Sequence, residues 1–130
     1  MTARRLFARG DVIKVAFPYP ADSGRPPPIT KYVVVLQGGD YWRFHSVLLV
    51  ALITSQVQTT NWPHLVFIPA GSWKLPDPSW IDCGDLYCIG RDLLEAGEIT
   101  GPLPDDIIKK VDQALLVGNG TYYGGDLIEV

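Results

Sequence analysis

The sequence predicts a mainly β domain of the α+β class, a small barrel or strongly curled antiparallel sheet with one C-terminal helix. Three observations carry that expectation. Short branched apolar runs recur along the chain, each cut off by a turn. Eleven prolines and 13 glycines in 130 residues supply those turns. Only one stretch, near the C-terminus, repeats its apolar residues with helical spacing. With 47% apolar and 19% charged residues the chain is globular rather than disordered, and its length suits a single domain with one core.

Residues 1–9 (MTARRLFAR) form a basic lead-in without pattern, expected to be loose. The domain runs over residues 10–118. Gly10 and Asp11 turn the chain into VIKVAF at residues 12–17, a strand ended by Pro18 and Pro20. The loop that follows, PYPADSGRPPPIT, holds five prolines and cannot supply a regular ladder, so it is expected to be stiff and exposed. Arg25 is its only cation, placed either at the edge of a site or, more commonly for such a residue, in water. KYVVVLQ at residues 31–37 is the second buried strand, closed by Gly38, Gly39 and Asp40. YWRFHS next gathers aromatics with Arg43 and His45. Such a cluster can stack on bases, but more often caps a core or an interface.

The run VLLVALITSQ at residues 47–56 is the centre of the pattern. It is too apolar for a half-wet strand and too short for a membrane span, so it reads as a strand buried on both faces. Thr54, Ser55 and Gln56 end it. Polar groups at the rim of a buried strand can be held rigidly by the core beneath, as a binding site requires. They can equally close the strand and start a turn, the commoner outcome for Thr54 and Ser55 taken alone. HLVFI at residues 64–68 is another strand, and the chain resumes after a Pro-rich loop with strands at residues 80–83 and 86–89. Pro104 suits a first helical position with Leu103 as a poor cap, Asp105 and Asp106 suit the positive end of the helix dipole, and Ile107, Ile108, Val111, Ala114 and Leu115 form the apolar stripe. Residues 119–130 are a Gly-rich tail in which DLIEV can form a last strand.

The net charge of −3 argues against a strong general nucleic-acid binder, yet the charge is uneven. Residues 1–65 carry seven Lys and Arg against three acids, whereas residues 66–130 carry four against eleven. The basic half could face a polyanion. Cys83 and Cys88 form no CxxC motif and no His/Cys cluster has metal-ligand spacing, so reduced structural thiols and no metal or cofactor are expected. The N-terminus lacks the apolar core of a signal peptide, which predicts a cytoplasmic protein without a membrane span.

The ordered succession of GDV at residues 10–12, VVVLQ at 33–37, VALITSQ at 50–56, HLVFI at 64–68, CGDLYCIGRDLL at 83–94 and LPDDIIKKVDQAL at 103–115 resembles the MazF/PemK (Kid) family of toxin ribonucleases. The resemblance covers residues 10–117. It implies an SH3-like small barrel, a homodimer, and metal-independent cleavage of single-stranded RNA by attack of a 2′-hydroxyl on the adjacent phosphate, giving a 2′,3′-cyclic phosphate and a 5′-hydroxyl. It also implies a cognate antitoxin peptide as partner. The family's arginine falls at Lys31 and its threonine at Thr54, so these two are the expected catalytic residues, with Arg25 as the source of a guanidinium that Lys31 lacks. Ser55, Gln56, His64 and Asp85 are the expected RNA contacts. Gly84, Asp85 and Tyr87 stand where some members place an Asp-Gln pair and an Arg.

Two other readings use the same scaffold, because a fold does not fix a function. One is a non-catalytic binding toxin, such as a CcdB-like gyrase inhibitor. The other is a structural domain that dimerises through its apolar strands. Asp85 as a turn residue and His64 as an ordinary edge histidine stand beside their functional readings.

Overall fold

The computed structural model describes residues 7–17, 29–39, 44–57 and 62–118. Six strands, β1 (Asp11–Phe17), β2 (Ile29–Val35), β3 (Val47–Thr54), β4 (Leu65–Ile68), β5 (Ser79–Gly90) and β6 (Glu98–Pro102), form one sheet in the order β4-β5-β3-β2-β1-β6. Each neighbouring pair is antiparallel. A short helix, α1 (Arg91–Glu95), joins β5 to β6, and a longer one, α2 (Asp105–Gly118), follows β6.

Strand alternation sorts the side chains onto two faces, and both are covered. On one face Val12, Val34, Ala51, Ile53 and Ile81 pack with Val111 and Ala114 of α2. On the other, Ile13, Val33, Val50 and Leu52 pack with Phe7 and with Leu94 of α1. This is why VLLVALIT is apolar without alternation: a strand that meets core on each side has no face to give to water. Phe17 of β1 and Tyr87 of β5 meet edge to face with ring centroids 4.9 Å apart, although β2 and β3 lie between their strands. The sheet therefore curls over this second face into a half-barrel, the small-barrel architecture that the sequence predicts.

The structure departs from the sequence reading in four places. Residues 80–83 and 86–89 are not two strands but one, β5, interrupted by a bulge: Leu52 pairs with Asp82 and Ala51 with Leu86, leaving Cys83, Gly84 and Asp85 between them. The Gly-Asp pair that looks like a turn is that bulge. Helix α1 and strand β6 were not anticipated, because RDLLE and EITGP are too short for a period to emerge. β6 is defined by its pairing with β1, from Asp11↔Pro102 to Lys14↔Glu98. Pro104 precedes α2 rather than starting it, and its carbonyl accepts the Ile107 and Ile108 amides at 3.0 Å. Leu103, expected to cap, is 3% exposed and belongs to the core.

The fourth departure concerns residues 7–9. Phe7 is 1% exposed inside the second cluster. Its segment crosses Gly38 so closely that a Cβ there would lie 2.5 Å from the Arg9 amide nitrogen. Arg9 pairs with Asp112 of α2. The Gly-Asp opening of β1 follows from the same turn: Gly10 sits at φ +95°, and the Asp11 carboxylate accepts the Ala8 amide at 2.9 Å. Arg9 is thus turned toward the acidic half of the sequence, so the sequence halves are not spatial halves. The proline-rich loop from residue 18 to 28, with Arg25, and the tail with DLIEV lie outside the described residues.

Both cysteines are free thiols. Cys83 is fully buried; burial, helped by the neighbouring Asp82 carboxylate, pushes its thiol up to about 12, whereas Cys88 is exposed. Since the thiolate is the reactive species, a disulfide reagent at pH 8 should titrate one thiol per native chain, Cys88, and two after denaturation. Rapid reaction of both in the native protein would contradict this packing. Among the described residues, no helix is long and apolar enough to cross a membrane, and no cluster of three or more His, Cys, Asp or Glu could hold a metal ion.

Candidate functional site

The pairing register assembles a row of side chains across the sheet. The β2–β3 ladder runs from Val35↔Val50 to Tyr32↔Ile53, so Lys31 and Thr54 are the residues that flank its end on the two strands. Thr54 pairs with Trp80 of β5, Trp80 pairs with Phe67 of β4, and Lys31 pairs on its other side with Val15 of β1. Cross-strand partners share a face, here the face that carries Val33 and Leu52. Adjacent strands lie about 4.8 Å apart, so the span from Phe67 to Lys31 is about 14 Å. Along it stand two aromatic rings, a hydroxyl and an ammonium. Lys31, Thr54 and Trp80 are half-buried, and Phe67 is 51% exposed.

Each member is held by the core below it. Val33 and Leu52 are one step further along the same ladder and buried. Gln37 beyond β2 accepts the Leu49 amide through its side chain at 2.8 Å and so pins β2 to β3. Thr54 Oγ1 accepts the Gln56 amide at 3.2 Å. That contact closes the strand end, and it leaves the hydroxyl proton available to donate, so the turn role and the site role coexist in one side chain. Ser55 and Gln56 follow the strand into solvent.

A second cluster lies at the β4 side. His64 Nε2 is 3.8 Å from Asp82 Oδ1, and the same oxygen accepts the Gly84 amide at 3.0 Å. The His64 carbonyl accepts the Cys83 amide at 3.0 Å, which fixes the segment that carries the imidazole. Asp82 pairs with Leu52, and Trp80 with Thr54, so the carboxylate is the next residue along β5 on the same face. An imidazole has ring nitrogens that can hydrogen-bond to a phosphate or a base edge. β4, whose start His64 adjoins, is two strands from β3, about 10 Å, so His64 stands beside the Lys31–Thr54 pair rather than on it.

The expected site residues therefore separate. Lys31 and Thr54 flank one end of the β2–β3 ladder; His64 lies near Asp82 at the flank; Asp85 sits in the bulge. Arg25 lies outside the described residues, in a loop whose ends, Phe17 and Ile29, pair with each other two residues from Lys31. Trp80, Asp82 and Phe67 escaped the sequence reading. Their signal is the alternation in SWID and LVFI, where Ile81, Val66 and Ile68 face the core and the residues between face out. A groove of about 630 Å³ also runs between the edge of β4 and α2, past Pro63, Val66, Phe67, Lys110 and Val117. Among the described residues Lys110 is the charged one in its lining.

Several solved structures share this architecture. The MazF of Deinococcus radiodurans superposes with a TM-score of 0.70 over 90% of this chain and 99% of that one, at 15% identity. The Mycobacterium tuberculosis toxin MazF-mt6 gives 0.66 at 18% identity over 85% and 98%. A mycobacterial endoribonuclease in complex with its cognate antitoxin gives 0.66 at 17% identity over 88% and 96%. At such identities the likeness speaks for the fold. No curated protein matches the sequence. The sequence pattern of the PemK-like, MazF-like toxins of type II toxin-antitoxin systems matches residues 8–117, most of the chain, and this protein belongs to that family.

Proposed function

We propose that this chain is an endoribonuclease toxin that cuts single-stranded RNA without a metal ion. The observation that supports the reading is that Lys31 and Thr54 flank the same end of the β2–β3 ladder, at the rim of a two-sided core. In this reaction the 2′-oxygen attacks the adjacent phosphorus, the bond to the 5′-oxygen breaks, and the products are a 2′,3′-cyclic phosphate and a 5′-hydroxyl. The 2′-hydroxyl loses a proton and the leaving oxygen gains one. Lys31 places its ammonium on the negative charge that grows on the equatorial oxygens, and Thr54 donates to the same phosphate and fixes its position. Arg25 adds a guanidinium from the loop that springs from the same end of the sheet.

Ser55, Gln56 and His64 contact the RNA to either side of the scissile phosphate, with Asp85 in the bulge beyond. Unpaired bases, splayed out of a single strand, supply sequence preference. The active form in this reading is a cytoplasmic homodimer held in check by a cognate antitoxin; a mycobacterial endoribonuclease among its structural neighbours is solved in complex with its cognate antitoxin. An acidic antitoxin segment that orders on binding would cover Lys31.

The test is to incubate a long mixed-sequence RNA with the purified protein in excess EDTA, map the cuts and identify their ends, with Thr54→Ala alongside. Discrete cuts with cyclic phosphate and 5′-hydroxyl ends, at least about 100-fold slower in the variant, are the expected result. Intact RNA combined with inhibition of DNA gyrase would replace this reading with that of a binding toxin.

A further inference from the structure

The row across the sheet continues past the residues assigned to the phosphate. Trp80 is the cross-strand partner of Thr54, and Phe67 is the cross-strand partner of Trp80. The two rings touch, with centroids 5.4 Å apart at 60°. Their neighbours Val66, Ile68 and Ile81 point the other way, into the core under α2, so the rings are not needed to fill that core. Phe67 leaves half its surface in water. Side by side, the two rings form one apolar surface rather than a lone exposed residue.

We propose that Phe67 and Trp80 form a stacking platform for one nucleobase of the RNA, next to the nucleotide whose phosphate Lys31 and Thr54 hold. The inference rests on the ribonuclease reading above and names how that site takes the base. The register decides in favour of RNA: the rings do not form an isolated apolar patch but stand in line with a hydroxyl and an ammonium. A row that ends in a cation at one side and aromatic faces at the other matches one strand of nucleic acid, which offers a phosphate and a base in alternation. Asp82, the acid next to the row on this face among the described residues, has His64 Nε2 3.8 Å from its Oδ1 and accepts the Gly84 amide, so it is engaged away from the rings. Stacking tolerates every base and favours purines only through area, so the platform adds affinity and a mild preference at one position.

The two kinds of contact differ in how they respond to salt. A phosphate contact by Lys31 releases counterions, so log Kd gains about 0.7 of slope against log salt for each such contact, whereas stacking releases none. The experiment measures binding of a 2′-O-methyl RNA oligonucleotide, which cannot be cut, at several salt concentrations for wild type, Phe67→Ala, Trp80→Phe and Lys31→Ala. Phe67→Ala should weaken binding about 5- to 150-fold with an unchanged salt slope. Trp80→Phe keeps a ring and should retain most of the affinity while showing less of the tryptophan quenching that RNA causes in the wild type, the other three tryptophans being unchanged. Lys31→Ala should lower the slope.

Wild-type affinity in Phe67→Ala, with cleavage intact in the wild type, would overturn the platform and leave the ribonuclease reading standing. If that variant instead lost its dimer on a sizing column while a monomer bound RNA as before, the rings would be an interface between copies and the platform would be wrong. A wild-type protein that neither cut nor bound RNA would remove the ribonuclease reading, and the platform with it.

Discussion

Lys31→Ala is expected to lower single-turnover RNA cleavage by about 100- to 1,000-fold at saturating RNA, the loss typical of one preorganised charge or donor removed from a transition state. The fold should survive, because Lys31 is only half-buried and its ladder step depends on backbone pairing with Val15 rather than on its side chain. Unchanged circular dichroism and thermal midpoint would show this. Lys31→Arg is the more discriminating variant. The ammonium is a point charge, whereas a guanidinium offers a planar fork that can hold two phosphate oxygens at once. A guanidinium keeps the charge and adds that fork, so Lys31→Arg should retain the wild-type rate or exceed it. A rate in Lys31→Ala within threefold of wild type would remove Lys31 from the reaction.

Phe7→Ala is expected to have the largest effect on stability, about 3–5 kcal/mol in a urea titration, the range for a fully buried phenylalanine cut back to a methyl group. The ring is sealed among Ile13, Val33, Val35 and Leu48, and the backbone that carries it is clasped by the Gly39 amide on the Phe7 carbonyl at 2.9 Å. A domain of this size is stable by only about 5–15 kcal/mol, so the variant should unfold at a far lower denaturant concentration. A change below about 1 kcal/mol would mean that the segment is dispensable, as a loose lead-in would be.

These two residues also mark what the sequence could and could not reveal. The burial of β2 and β3 was legible because each is an unbroken apolar run, which reads as a strand with core on both faces, whereas the roles expected for Lys31 and Thr54 at their ends came from the family resemblance. Their adjacency was not legible, since it depends on the β2–β3 register, which is fixed by packing on both faces and by Gln37 reaching Leu49. Phe7 sits in RRLFARG, where the surrounding charges hide a single core residue that only the crossing over Gly38 identifies. Cys83, Gly84 and Asp85 resemble a turn because a bulge and a turn use the same residues. Only the uninterrupted pairing of the flanking residues with β3 tells them apart. Trp80 and Phe67 were read as strand residues without a face, and the face came from their partners.

The pairing of β1 with β6 bears on how the protein is made. β1 begins at Asp11, yet its outer neighbour is residues 98–102, and the Leu103 amide closes onto the Gly10 carbonyl at 2.9 Å. On a ribosome, the first strand stays an open edge until nearly the whole domain has emerged. Contacts of such sequence separation form late, after the cost of closing a long loop has been met. The row of Lys31, Thr54, Trp80 and Phe67 draws on four strands and needs β5 laid beside β3 before it exists. A truncated or still-emerging chain therefore holds the pieces of the row without the row until β5 is in place.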